Sequence, residues 1–411
     1  MGCPLPEPTR TGAVMPEAMP LTRDPAVRLP KRAMSAVAVV VTVGILPAFL
    51  VGGLGVQLQQ DFGFGPAVLG AGAAGFFAVA ALSSRLMGWL SERIGPVPAM
   101  RLAAVGSAVC AGGIAASRNL GWLLVMLWLA GLPNALGQPA SNLLIARCVP
   151  GTRRATAFGI KQSAIPASTL LAGLAVPAVA LTFSWRWAFA GAALVGLVAA
   201  LAVPRSVTGH GGSTAVTRTE SAEPGRSVLL LITLAAGLAS AAANSLGSFV
   251  TTTGVEVGFD PGTAGLVLAV GSVAGLCMRL TMGVLADRRN PNPIGVITLL
   301  LLIGSAGFVL MALPLPVAFL IGAVVGFGAG WSWPGLLNFA VAGLYPRRVA
   351  GATSVSQTGV YIGGSAGPLL FGVVASQAGL AEAWSAAGLV ALLAAVSLWI
   401  VWRRTTVRRA H

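Results

Sequence analysis

The sequence predicts an all-α membrane protein, with twelve transmembrane helices arranged as two pseudo-symmetric six-helix bundles. Three observations predict it. Of the 411 residues, 56% are hydrophobic and only 9% are charged, against about 25% charged in an ordinary soluble domain. Apolar runs of about 20 residues, the length that crosses a bilayer, recur along the chain between short polar breaks. One signature also occurs twice, half a chain apart: Arg85-Leu-Met-Gly88-Trp-Leu-Ser-Glu92-Arg93-Ile-Gly95 and Arg279-Leu-Thr-Met-Gly283-Val-Leu-Ala-Asp287-Arg288. Gly88 to Gly283 and Arg93 to Arg288 are both steps of 195 residues, as a duplicated bundle requires.

Residues 1–32 are rich in proline and mixed charge and read as a disordered cytoplasmic tail. No small-residue cleavage site closes the next apolar run, so it is not a signal peptide. The N-terminal bundle occupies 33–204. Span 1 runs from about Ala33 to Gln57, with a kink expected at Pro47. A short loop, Asp61-Phe-Gly-Phe-Gly-Pro66, leads to span 2 at about Ala67 to Leu90. Span 3 covers about Ala99 to Ser117 and span 4 about Leu120 to Cys148. Span 5 starts after Arg153-Arg154 and reaches about Thr182, and span 6 follows Ser184 and ends near Pro204. Residues 205–226 form the one long internal polar segment and read as a cytoplasmic linker. The C-terminal bundle, 227–402, holds spans 7 (about Ser227 to Thr253), 8 (Gly262 to Ala286), 9 (Ile294 to Leu313), 10 (Pro316 to Leu344), 11 (Ala350 to Gln377) and 12 (Ala383 to Trp402), before a C-terminal tail at 403–411.

The 195-residue step also relates Pro66 to Pro261, Gly70 to Gly265, Pro98 to Pro293, Gly131 to Gly326, Pro139 to Pro334, Ala155 to Ala350 and Gln162 to Gln357. A constant register from span 2 to span 5 needs no gap. Charge sets the orientation. Of 26 Lys and Arg, 21 fall on the side of the two termini, two (Arg118 and Arg186) on the other, and three (Arg85, Lys161 and Arg279) inside spans. Positive loops stay in the cytoplasm, so both termini are expected there, in a multi-pass inner-membrane protein. The net charge of +15 is then a topology signal with attraction to anionic lipid, and needs no nucleic-acid partner.

Much enzyme chemistry is excluded. The four cysteines, Cys3, Cys110, Cys148 and Cys277, lack paired spacing, and the two histidines, His210 and His411, lie in the linker and at the end of the chain. No disulfide framework, metal set, nucleophile–base pair or phosphate loop emerges, and neither enzyme activity nor a cofactor is expected.

The three cations inside spans carry the chemistry. Counting 1.5 Å per residue from Arg93, Arg288 and Arg154, the side chains of Arg85, Arg279 and Lys161 sit about 12, 13 and 10 Å inside, near the midplane of a core about 30 Å thick. All eleven acidic residues fall outside the span interiors. Cations without carboxylates in hydrocarbon are costly, and a bound anion relieves that cost; guanidinium offers a planar oxyanion two parallel hydrogen bonds. The competing reading has these side chains snorkel to the interface, or has Arg85 pair with Glu92 and Arg279 with Asp287. Asn134, Gln138 and Asn142 on span 4, and Ser240, Asn244 and Ser248 on span 7, recur every fourth residue and so share a face. Each stripe lines a cavity or ties helices together. Gln162 and Gln357 stand beside the cation layer as further ligands, with Tyr361 and Asn338 after them; Trp331 and Trp333 flank a kink at Pro334.

The loop signature and the Trp185-Arg-Trp-Ala-Phe189 turn resemble those of the major facilitator superfamily, over nearly all of the chain after residue 32. The resemblance implies the major facilitator fold, secondary transport by alternating access, and a conformational latch at Gly88, Glu92, Arg93, Gly283, Asp287 and Arg288. It also implies that spans 1, 4, 7 and 10 line the path. The basic residues usual after the loop motif are replaced by Pro96 and by Asn290-Pro291, and Leu127 and Trp128 stand where span 4 usually carries an arginine. Arginines on spans 2 and 8 are similar in placement to those of nitrate/nitrite porters, and Gly359-Val-Tyr-Ile-Gly-Gly364-Ser-Ala-Gly367-Pro partly matches their span-11 signature. The expectation is a monomeric exchanger or uniporter of a small anion, an inorganic oxyanion or small carboxylate, clamped by Arg85 and Arg279 with Lys161, Gln162, Gln357, Asn134, Gln138, Asn142, Asn244 and Tyr361 around it. The alternative is an exporter of lipophilic drugs or metabolites whose membrane arginines are structural.

Overall fold

The computed structural model describes residues 31–149, 153–204, 223–289, 292–345 and 349–407. Most of the two tails and of the linker, and the side chains of Asp287 and Arg288, lie outside the described residues. Among the described residues the regular structure is helical throughout, in twelve spans long and apolar enough to cross a membrane. They are Lys31–Gly53, Pro66–Ile94, Pro96–Ala115, Leu120–Cys148, Thr156–Ala180, Trp185–Ala202, Arg226–Glu256, Pro261–Ala286, Pro293–Met311, Pro316–Leu344, Gly351–Gln377 and Leu380–Thr405, here spans 1 to 12.

The helix starts follow from local chemistry. Pro66, Pro96, Pro261, Pro293 and Pro316 each open a helix, where a missing N–H costs nothing. Asn119 accepts from Trp122 N (2.8 Å), Asn292 from Ile294 N (3.1 Å), and Asp260 from Gly262 N (2.9 Å) and Thr263 N (3.1 Å), each satisfying free donors of a first turn.

Three spans are not single helices. Span 4 divides into Leu120–Leu129 and Gly131–Cys148. Span 5 is Arg154–Gln162, then Ala164–Ala175, then a π-turn at Val176–Ala180. Span 10 is Pro316–Val325, a π-turn at Gly326–Gly330, a non-helical Trp331-Ser332-Trp333, and Pro334–Leu344. Span 1 stays helical through Pro47 and is interrupted instead at Leu54, after which Gly55–Phe62 forms a short helix. Gly63, at φ 66°, ends that helix in the left-handed conformation that glycine adopts without strain.

The first six spans meet the last six through glycines, away from the side where Lys31 and the end of span 12 lie. A Cβ on Gly173 would come within 2.5 Å of Gly265 O, and one on Gly372 within 2.6 Å of Pro66 O. Gly70 abuts Pro368 and Gly52 abuts Gly247 just as closely. Thr251 Oγ1 donates to Gly52 O (2.8 Å) and Ser365 Oγ to Ala74 O (3.0 Å). Aromatic rings fill the core behind this seam: Phe49 meets Trp331 edge-on at 5.5 Å, and Phe371 bridges Phe249 and Trp384.

Candidate functional site

The site forms where two broken helices, spans 5 and 10, meet span 8. Span 5 loses its helix after Gln162. Four residues on stands Pro166, which has no N–H to give the Gln162 carbonyl. Span 10 is open at Trp331–Trp333, so Trp331 O also lacks a helical donor. Arg279, on span 8, takes both. Its Nη1 donates to Gln162 O (2.5 Å), and its Nη2 and Nε to Trp331 O (2.5 and 3.1 Å). The guanidinium also lies 5.8 Å from the Trp331 ring centroid. Arg279 is only 4% exposed. Three of its five N–H groups are used this way, which leaves one on each terminal nitrogen.

Lys161 precedes Gln162 and is equally buried. Its Nζ donates to Asn142 Oδ1 (2.6 Å) and to Gln138 O (3.3 Å) on span 4. Arg279 touches the carbonyl of the residue next to Lys161, so the two cations share one layer. Their hydrogen-bond partners are neutral, and carboxylates have no part in either network among the described residues. Backbone carbonyls are the counter-groups that the sequence reading lacked.

A cleft of about 370 Å³ opens beside Arg279, with Gln162, Ser332, Gly283, Phe339 and Gly159 on its walls. The cleft is narrow, with room for about one water molecule. Ser332 Oγ, 2% exposed, faces it with no hydrogen-bond partner.

Arg85 is not part of this site, which corrects the two-arginine clamp. It is exposed, on the face of span 2 that also carries Leu82, 86% exposed, and Leu86 and Trp89, each more than half exposed. The buried face holds Ala73, Phe76, Phe77 and Ala80. The reason is register. Arg85 and Arg279 are 194 residues apart, one short of the repeat, and one residue turns a side chain about 100° around a helix. The true counterpart of Arg85 is Leu280, itself 41% exposed.

The span-7 stripe is spent on bonds within its own helix and one tie to span 11. Ser240 Oγ donates to Val360 O on span 11 (2.7 Å), Asn244 Nδ2 to Ser240 O (2.9 Å) and Ser248 Oγ to Asn244 O (3.1 Å). On span 4, Asn134 is buried beside Gly44, and only Gln138 and Asn142 reach the cation layer. Gln162 enters by its carbonyl rather than its amide. Gln357, Tyr361 and Asn338 are half-buried and do not line the cleft. At the latch, Arg93 lies over the Trp89 ring at 5.1 Å, Glu92 is exposed, and a Cβ on Gly88 would meet nothing within 4 Å. Gly88 therefore permits no close helix approach in this conformation. Gly283 does face Gly159 across the halves: a Cβ on Gly283 would lie 3.9 Å from the Gly159 Cα. The residues that sequence reasoning missed are Trp331, by its carbonyl, and Ser332; the signal was a proline four residues after Gln162 and another three after Trp331.

Comparison with known proteins agrees with this architecture. The family model described as Major Facilitator Superfamily matches residues 32–341 and 232–411. An uncharacterized MFS-type transporter of Mycobacterium tuberculosis (strain CDC 1551 / Oshkosh) is 25% identical over 336 residues, 75% of this chain and 71% of that protein. Among solved structures, a bacterial homolog of the human lysosomal transporter Spinster, inward-facing and occupied, superposes with a TM-score of 0.70 at 17% identity, covering 92% of this chain and 98% of that one. The human organic anion transporter MFSD10 (TETRAN) gives a TM-score of 0.65 at 16% identity, covering 90% and 99%. At these identities the structural likeness establishes the fold alone.

Proposed function

The chain belongs to the Major Facilitator Superfamily, it is a multi-pass membrane transporter rather than an enzyme, and from that premise we propose that it moves a small anion, an inorganic oxyanion or small carboxylate, by alternating access as an exchanger or uniporter. The observation that carries this reading is the pair of buried cations, Lys161 and Arg279, held in one layer by neutral groups among the described residues. A cation in hydrocarbon with no counter-charge leaves a net positive potential, which an anion on the two free guanidinium N–H groups and Ser332 Oγ would neutralise. The proposed topology is both termini in the cytoplasm, from the distribution of Lys and Arg. The transporter works as a monomer in this reading, each chain holding a whole site.

The narrowness of the cleft fits a conformation closed around Arg279. Entry requires the halves to part at the Arg279–Gln162 bond, the step that alternating access supplies.

The test is a thermal-shift titration of purified protein with nitrate, formate and oxalate, against chloride at equal ionic strength. At least one of the first three should raise the transition temperature, and Arg279→Gln and Lys161→Gln should each abolish the rise. A rise that survives in both variants overturns the reading. A second reading, export of lipophilic drugs or metabolites with Arg279 as a structural tie, draws support from the three N–H groups already given to carbonyls. It expects stabilisation by lipophilic compounds and none by anions.

A further inference from the structure

Arg85, Trp89 and Arg93 recur every fourth residue on span 2 and are all exposed, so they form one stripe. The stripe covers about 12 Å along the helix. Arg93 lies over the Trp89 ring at 5.1 Å. Leu82 and Leu86, exposed beside Arg85, continue the face towards the middle of the span. Large apolar side chains left uncovered on a membrane span face lipid, so Arg85 stands in the acyl region, two helical turns in from Arg93. Glu92 is exposed next to Arg93, yet neither Arg85 nor Arg93 is ion-paired to it. A guanidinium at that depth with no carboxylate partner among the described residues is costly, and its exposed face meets the bilayer.

We propose that this stripe is a binding site for an anionic phospholipid, whose phosphate bridges Arg85 and Arg93 and whose acyl chains lie along Leu82 and Leu86. Guanidinium binds phosphate through two parallel hydrogen bonds. A tryptophan at the membrane interface holds the depth at which the headgroup sits. The excess of Lys and Arg at this end of the bundle draws the same class of lipid by its field. The site is separate from the Arg279 cleft, and the proposal stands whether or not an anion is the cargo.

The experiment is native mass spectrometry of the full-length protein after equilibration in bicelles of equimolar phosphatidylglycerol and phosphatidylcholine. Wild type should retain phosphatidylglycerol in preference to phosphatidylcholine. The double variant R85Q/R93Q should bind phosphatidylglycerol on the order of thirtyfold more weakly, the effect of two basic residues at an anionic surface. R85K/R93K, which keeps the charge but not the fork, should fall between. Equal retention of the two lipids by wild type overturns the proposal without recourse to a variant, as does unchanged phosphatidylglycerol affinity in R85Q/R93Q. Inorganic phosphate is the control for a free ion: if it displaces phosphatidylglycerol at matched concentration, the site reads phosphate alone and the lipid assignment fails. Unaltered thermal response of R85Q/R93Q to the anions that stabilise wild type keeps this result distinct from the transport reading.

Discussion

Pro166 removes the N–H that would have closed the helical bond to Gln162 O, and Arg279 takes the carbonyl instead. A hydrogen bond to a charged group is worth about 1.5–3 kcal/mol, and Arg279 makes three across two helix breaks. Lysine cannot reproduce this, because one ammonium does not span two carbonyls as a planar fork does. Arg279→Lys is therefore expected to lower the thermal transition and abolish any anion response; a variant with wild-type stability would show that the carbonyls find other donors. Pro166→Ala restores a donor four residues after Gln162. Where that N–H takes the carbonyl, a guanidinium N–H is released and anion affinity rises on the order of tenfold; an unchanged affinity would leave the carbonyl with Arg279. Asp260 carries a pH dependence. Thr263, through its side chain and its backbone N–H, holds this carboxyl below the usual aspartate range. A depressed folded pKa stabilises above the ordinary value of about 3.9 and loses that contribution as pH falls through the lower folded one. Asp260→Asn should flatten the acid limb of the transition temperature against pH, and an identical limb would remove Asp260 as its source.

Among the elements, spans 7 and 11 are bound by a glycine seam. Gly359, Gly363 and Gly367 recur every fourth residue, and a Cβ on any of them would clash with a backbone oxygen of span 7, at Thr233, Gly237 and Ala241 respectively. Small residues let helix backbones approach closely. Gly363→Ala is expected to destabilise by about 1–3 kcal/mol, since one backbone must move. Gly343→Ala, where a Cβ meets nothing within 4 Å, is the control and should be neutral or stabilising by about 0.5–1 kcal/mol. Equal effects at the two positions would deny the seam. The same seam explains one member of the span-7 stripe: with the backbones this close, Ser240 reaches Val360 O, while Asn244 and Ser248 bond to carbonyls of their own helix.

At the scale of the whole molecule the two halves are joined by the glycine contacts at Gly52, Gly70 and Gly173, away from the side of the chain ends, and by the Arg279–Gln162 bond. Gly173→Val forces spans 5 and 8 apart there, and the population should shift towards the state open on that side. A Ser248→Cys reporter, in a background lacking the native cysteines, should react faster with a membrane-impermeant thiol reagent when Gly173→Val is present; an equal rate would show that the seam does not set the balance. Orientation is tested at the same scale: a protease site after His411 should be cut from the cytoplasmic side alone.

Much of the fold was legible in the sequence, since the number of spans and their order follow from apolar run length, and turn chemistry such as Asn119 and Asn292 marks where helices start. Part of the site was legible as well. Arg279 and Lys161 stand out because a charge inside an apolar run has no local explanation, and Asn142 follows from spacing, whereas Gln138 meets Lys161 by its carbonyl. Arg85 looked equivalent to Arg279, although its step of 194 against 195 already held the difference. Depth depends only on position along a helix, so both arginines passed that criterion; facing depends on rotation, and the rotation differs.

The sequence by itself determined the twelve spans, their duplication and the placing of three cations within them, because hydrophobicity, repeat register and charge are properties of residues in order. The tertiary structure decided which cations are buried and what meets them. That outcome rests on carbonyls set free at helix breaks in spans 5 and 10, and a carbonyl, identical in every residue, has a partner only once other helices are packed around it.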